Sequence, residues 1–154
     1  LYLFGSFAVA YQAKLGSHGT KLMPPDFFDN NIVLYLLDEG PKAETAKDLI
    51  AKRGMISVQA LNEALVKCLR KAGMSWDEAG KFLHGIRQFC VVKDLTPATH
   101  DIGRAIGARY GFSVYDAMIV AAALEAGCTK LYSEHIKEGL FVEGKIRIVN
   151  PFRR

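Results

Sequence analysis

From Met23 onward, short and wholly apolar runs alternate with stretches whose apolar residues recur at every third or fourth position. A strand buried on both faces must be apolar throughout, whereas a helix lying on a sheet needs only one apolar stripe. The alternation therefore predicts an α/β fold, a three-layer α/β/α arrangement around a central parallel sheet of about five strands. Phe27-Phe28 opens the first strand, and the run Ile32 to Leu37 leads into a turn or short helix that Gly40-Pro41 ends. Lys42 to Arg53 reads as a helix with Ala46, Leu49 and Ile50 inward and Gly54 as its stop. Met55 to Ser57 is a second buried strand, and Ser57 is placed to cap the helix that follows, with Leu61, Ala64, Leu65, Cys68 and Leu69 on its apolar face and Gly73 at its end.

Ser75 with Glu78 forms the pattern of a capping box, and Trp76, Ala79, Leu83, Ile86 and Cys90 make an apolar stripe behind it. We read that stripe, with Phe82, as core, and a dimer or partner surface is the alternative. Val91-Val92 is a third strand, Thr96-Pro97 starts a helix to about Tyr110, and Ser113 caps another that stops at Gly127. That last helix is apolar almost all round, so it should be largely buried. Lys130 to Ser133 and Ile146 to Val149 complete the strands.

A chain of 154 residues fits one domain that buries roughly 70% of its unfolded surface, so it needs no staples. Cys68, Cys90 and Cys128 are odd in number, far apart and without a C-x-x-C pair. They are expected to be reduced thiols in a cytoplasmic protein rather than disulfides or zinc ligands. Residues 1–22 look like an artificial leader and Met23 like the natural start, leaving 23–154 as the domain; a secretory signal is disfavoured because no basic stretch precedes the apolar part. The formal charge of +4 includes Lys14 and Lys21 of that leader, and the remainder carries 18 cations against 16 acids, too even a balance to argue for nucleic acid. No membrane association is expected, since no run approaches the roughly 18 apolar residues that span a bilayer.

Open parallel sheets bind ligands beyond the carboxyl ends of their strands, so acids placed there are candidates for chemistry. Asp29 interrupts an apolar run where a buried strand should end, as a functional carboxylate or as a helix cap. Glu63 lies past the turn in which it would help the helix dipole, with Lys67, Arg70 and Lys71 on the same side. Those cations can hold phosphate, or can be a solvated face with an ordinary Glu63–Lys67 pair. Asp116 completes a Ser113-x-x-Asp116 capping pattern, yet it starts a helix so apolar that its first turn must lie near the core. If the first, second and fourth strands are neighbours, the three carboxylates meet, and their mutual repulsion calls for a divalent cation. Oxygen ligands point to Mg2+ or Mn2+ and to metal-assisted phosphodiester hydrolysis.

Three stretches carry a family resemblance: Phe27-Phe28-Asp29-Asn30-Asn31-Ile32-Val33-Leu34, Ser57-Val58-Gln59-Ala60-Leu61-Asn62-Glu63, and Phe112-Ser113-Val114-Tyr115-Asp116-Ala117-Met118-Ile119-Val120-Ala121-Ala122. With Leu131-Tyr132-Ser133-Glu134 and the tail Asn150-Pro151-Phe152, they resemble the VapC-type PIN-domain ribonucleases in order and spacing. The resemblance implies a PIN-like parallel-sheet fold, an Mg2+ or Mn2+ cofactor, cleavage of an RNA substrate, a homodimer, and a cognate antitoxin as inhibitor. It places the family's acids on Asp29, Glu63 and Asp116, and its supporting polar residues on Asn31 and Ser133. The usual fourth acid is replaced by His135, which can ligate manganese but adds no negative charge. Glu134 beside it should point the other way if the segment is extended. Two alternatives stand: a degenerate, non-catalytic PIN domain that binds RNA or protein, and a haloacid-dehalogenase-like phosphatase. The second lacks its usual acid two residues after the nucleophile, where Asn31 stands.

Overall fold

A computed structural model describes residues 24–153, so the expected leader at 1–22 lies outside the described residues. Along the chain run β1 (Phe27–Phe28), α1 (Asn30–Tyr35), α2 (Pro41–Ala51), β2 (Gly54–Ser57), α3 (Val58–Arg70) and α4 (Trp76–Arg87). They are followed by β3 (Cys90–Lys93), α5 (Pro97–Tyr110), α6 (Val114–Glu125), β4 (Lys130–Tyr132), β5 (Phe141–Val142) and β6 (Ile146–Val149). The sheet has six strands in the order β3-β2-β1-β4-β6-β5. Every neighbouring pair is parallel except β5 with β6.

Successive strand residues face opposite sides, and β1 shows the consequence in two residues. Phe27 enters a core with Ile119, Val120, Leu131, Ile146 and Ile148, on the side covered by α5 and α6. Phe28 enters the other, with Ile32, Leu49, Ile56, Ala60 and Ile86, under α1 to α4. The three layers follow from this division, as the sequence pattern predicts. Helix α6 is buried along most of its length, as its composition requires.

The structure adds one strand to the expected set. β5 is a two-residue hairpin partner of β6, turned by Glu143 and Gly144 at φ 52° and 63°, with Lys145 N–H donating to the Val142 carbonyl at 3.0 Å. Two successive positive φ values at the centre of the turn give the hairpin geometry that matches strand twist. So short a strand has no period to reveal it.

Two expectations about side chains are corrected. Trp76 is 72% exposed and outside the core, although Phe82 of the same stripe does pack against it. Ser57 occupies the N-cap position of α3, but its hydroxyl makes no capping bond. The Ser75–Glu78 capping box is present in both directions.

Candidate metal centre

β2, β1 and β4 lie side by side, which is the condition for acids at their carboxyl ends to approach one another. Continuing the register beyond the paired positions, two residues on the β2 side and one on the β4 side, sets Asp29 between Ser57 on β2 and Ser133 after β4. Ser133 in turn lies beside Asn150 after β6, and Ser57 pairs with Lys93 on β3. A polar row thus crosses the sheet where its apolar strands end. The Asp29 amide donates to the Tyr132 carbonyl and the Ser133 amide to the Val149 carbonyl, each at 2.9 Å, so the ladder extends into this row.

Asp29 is only 4% exposed. Its Oδ1 accepts from the Asn30 amide at 2.6 Å, which makes it the cap of α1, and its Oδ2 accepts from the Ser133 hydroxyl at 2.6 Å. Ser133 Oγ accepts in turn from the amides of His135 and Ile136, both at 3.2 Å. Burial pushes the Asp29 carboxyl above its ordinary range; the two hydrogen bonds oppose this, the Asp116 charge adds to it and His135 relieves it. Capping therefore accounts for only half of this carboxylate, and the rest of its surroundings make its charge costly.

Asp116 is close enough to act electrostatically on Asp29. The Asp116 amide donates to Ser113 Oγ at 3.3 Å, yet the Asp116 carboxylate does not return the bond to the Ser113 backbone. The capping box is half made, and this carboxylate is left for other work. His135 is exposed and also acts on Asp29.

Glu63 is half-buried on α3 and accepts from Gln59 Nε2 at 3.1 Å. Among the described residues no three His, Cys, Asp or Glu side chains are grouped closely enough to hold a metal ion. The Glu63–Lys67 pair that spacing allows does not form. Lys67 Nζ instead reaches the Leu34 carbonyl at 2.9 Å and Asp38 at 2.7 Å, which ties α3 to the end of α1. Arg70 and Lys71 are exposed, with no ion pair among the described residues.

Around Asp29 several polar atoms are buried without a hydrogen-bond partner: Asn30 Oδ1, both amide atoms of Asn31, and Ser57 Oγ. Each such atom carries a desolvation cost of about 1–3 kcal/mol, so the cluster is poor material for a fold that only has to be stable. Two carboxylates and amide and hydroxyl oxygens are hard donors. They fit a magnesium or manganese ion, which takes one or two carboxylates and completes its shell with water and phosphate. Ser57 was read from sequence only as a cap; its signal was a small polar residue at the carboxyl end of a central strand.

The segment after Ser133 is bent rather than extended, and Glu134 is engaged away from the sheet. It accepts from Tyr35 Oη and pairs with Lys42, whose ammonium lies over the rings of Tyr35 and Phe152. This clamp fastens the segment carrying Ser133 and His135 to α1, α2 and the tail.

Among the described residues no helix is long and apolar enough to cross a membrane. A family model described as the PIN domain matches residues 27–135. A toxin–antitoxin complex from Klebsiella pneumoniae is similar in structure, with a TM-score of 0.66 and 17% identity over 84% of this chain and 99% of that one. A DNA-bound VapBC from Salmonella typhimurium gives a TM-score of 0.60 and 21% identity over 82% and 97%. A VapC toxin from Mycobacterium tuberculosis, described as cleaving the sarcin-ricin loop, gives 0.56 and 23% over 69% and 86%. No curated protein matches in sequence.

Proposed function

Because the chain belongs to the PIN-domain family, we propose that it is a metal-dependent endoribonuclease, the toxin of a toxin–antitoxin pair. The observation that carries this is the buried Asp29 carboxylate, held beside Asp116 at the carboxyl ends of the strands although its burial favours the neutral form. Asp29 and Asp116 would hold Mg2+ or Mn2+, with Glu63 and His135 as further candidates for its shell. A bound ion supplies an activated water and neutralises charge on the leaving oxygen.

The chain's own part is positioning. The Ser133 hydroxyl and the Asn30 amide each take one lone pair of the Asp29 carboxylate and set its plane, leaving the remaining lone pairs for a ligand. Asn31 and Ser57 offer unpaired polar atoms beside it. Arg70 and Lys71 are the basic residues assigned to the RNA backbone; Lys67 serves mainly to brace α1. A cognate antitoxin is proposed by analogy with the neighbouring complexes, a homodimer on the family resemblance, and the exposed Val66 and Trp76 are the residues assigned to a partner surface. Three free thiols accord with a cytoplasmic site.

Purified protein incubated with total RNA, with manganese or with chelator, tests the reading. Cleavage should require the cation, and Asp29→Asn, Glu63→Gln and Asp116→Asn should each abolish it with the fold intact. Undiminished cleavage by any two of them would rule out this site. The second reading, a non-catalytic binding module, is favoured by His135 in the place of an acid and by the lack, among the described residues, of three grouped His, Cys, Asp or Glu side chains. It predicts retained RNA affinity without products in manganese. A phosphatase reading of Asp29 has no support once the family is known.

A further inference from the structure

Beside His135 a cavity of about 300 Å3 is lined by Glu134, His135, Ile136, Lys137, Glu138, Asn150 and Arg153. Its walls are the segment after β4 and the tail after β6, so it continues the polar row beyond Ser133. Both of its acids are already neutralised: Glu134 by Lys42, and Glu138 by Arg153 at 2.9 Å. Lys137 is exposed and has no counter-ion among the described residues. Asn150 uses its Oδ1 to accept from the Phe152 amide at 2.9 Å, while its Nδ2 has no partner among the described residues. The cavity thus presents an uncompensated ammonium, an amide donor and an imidazole.

We infer that this cavity is the subsite for one unpaired nucleotide adjoining the scissile phosphate, with Lys137 on its phosphate and Asn150 on the edge of its base. The inference rests on the nuclease reading, and adds to it two substrate-binding residues. Three features favour such an occupant. The lining is rich in donors, which suits phosphate and base acceptors. The volume is at the small end for ligand sites and admits a nucleotide, not a duplex. The Ser133 hydroxyl donates to Asp29 at 2.6 Å and accepts from the His135 amide at 3.2 Å, so a nucleotide seated against His135 has its neighbour at the acidic centre. The Glu134 clamp to Tyr35 and Lys42 gives the wall a fixed shape.

The test is titration of the full chain with each of the four nucleoside 5′-monophosphates, in chelator, followed by amide chemical shifts. Shifts should centre on 134–138, 150 and 153. Lys137→Gln should weaken monophosphates about fivefold and leave unphosphorylated nucleosides unchanged. Asn150→Asp keeps the acceptor for the Phe152 amide, so the fold is retained, and should weaken both ligands. Shifts confined to other surfaces, or wild-type affinity in both variants, would overturn the subsite. Metal-free binding is independent of turnover: a failed nuclease reading shows as absent manganese-dependent cleavage with this binding intact.

Discussion

Replacing Ser133 by alanine should cost stability in a manner that depends on pH. The hydroxyl is fully buried and donates to Asp29 Oδ2 at 2.6 Å. A hydrogen bond to a charged acceptor contributes about 1.5–3 kcal/mol. The same oxygen accepts from the amides of His135 and Ile136 at 3.2 Å, and the second of these bonds is buried. Orphaning the Ile136 amide adds about 1 kcal/mol, the low end for a lost partner because the bond is long. The sum is about 2.5–4 kcal/mol at neutral pH, a large share of the roughly 5–15 kcal/mol that a domain has. When Asp29 is protonated, its bond from Ser133 falls to an ordinary neutral one of about 1 kcal/mol. The destabilisation should therefore shrink by about 0.5–2 kcal/mol between pH 7 and pH 4. Urea denaturation of both proteins at the two pH values measures it, and carboxyl NMR should show Asp29 holding its proton to higher pH in the variant. A cost that is the same at both pH values, with Asp29 titrating unchanged, would refute the reasoning.

Asp29 has its proton affinity raised chiefly by burial, so its contribution to stability is fully present below pH 3.8 and is lost as pH rises through its higher folded value. Asp116→Asn removes the charge that adds to this effect; the metal-free variant should melt above the parent at pH 7, and the rise in Tm on adding manganese should be smaller than the parent's. His135→Asp should raise manganese-supported RNA cleavage by adding a carboxylate; no increase would show that this position does not matter. Gly54→Ala should destabilise by about 1–3 kcal/mol in thermal or urea melts, because its Cβ would stand 2.6 Å from the Phe28 ring and 2.7 Å from the Asp26 carbonyl, and the backbone atom cannot move aside. Wild-type stability there would mean that β1 and β2 are not so closely apposed.

Much of this molecule was legible along the chain. Phe27 and Phe28 announce a strand buried on both faces, and Ser75-x-x-Glu78, Thr96-Pro97 and Gly127 punctuate helices through bonds and dihedral preferences that span a few residues. Such signals are local, set by sterics and by the nearest backbone donors, so they survive without knowledge of the fold. The two-residue β5, the lone hydroxyl of Ser57 and the commitment of Lys67 to Asp38 are not local, and no pattern in the sequence contains them. The same holds at the candidate site. Residue types nominated Asp29, Glu63 and Asp116 alike, but only the assembled sheet brings the Asp116 charge to bear on Asp29, while Glu63 accepts from Gln59 within its own helix. Asp29 meets Ser133 across 104 positions of chain, and its proton affinity comes from the apolar matter packed around it. Charge interactions depend on distance and on excluded water, and both exist only once the sheet has assembled.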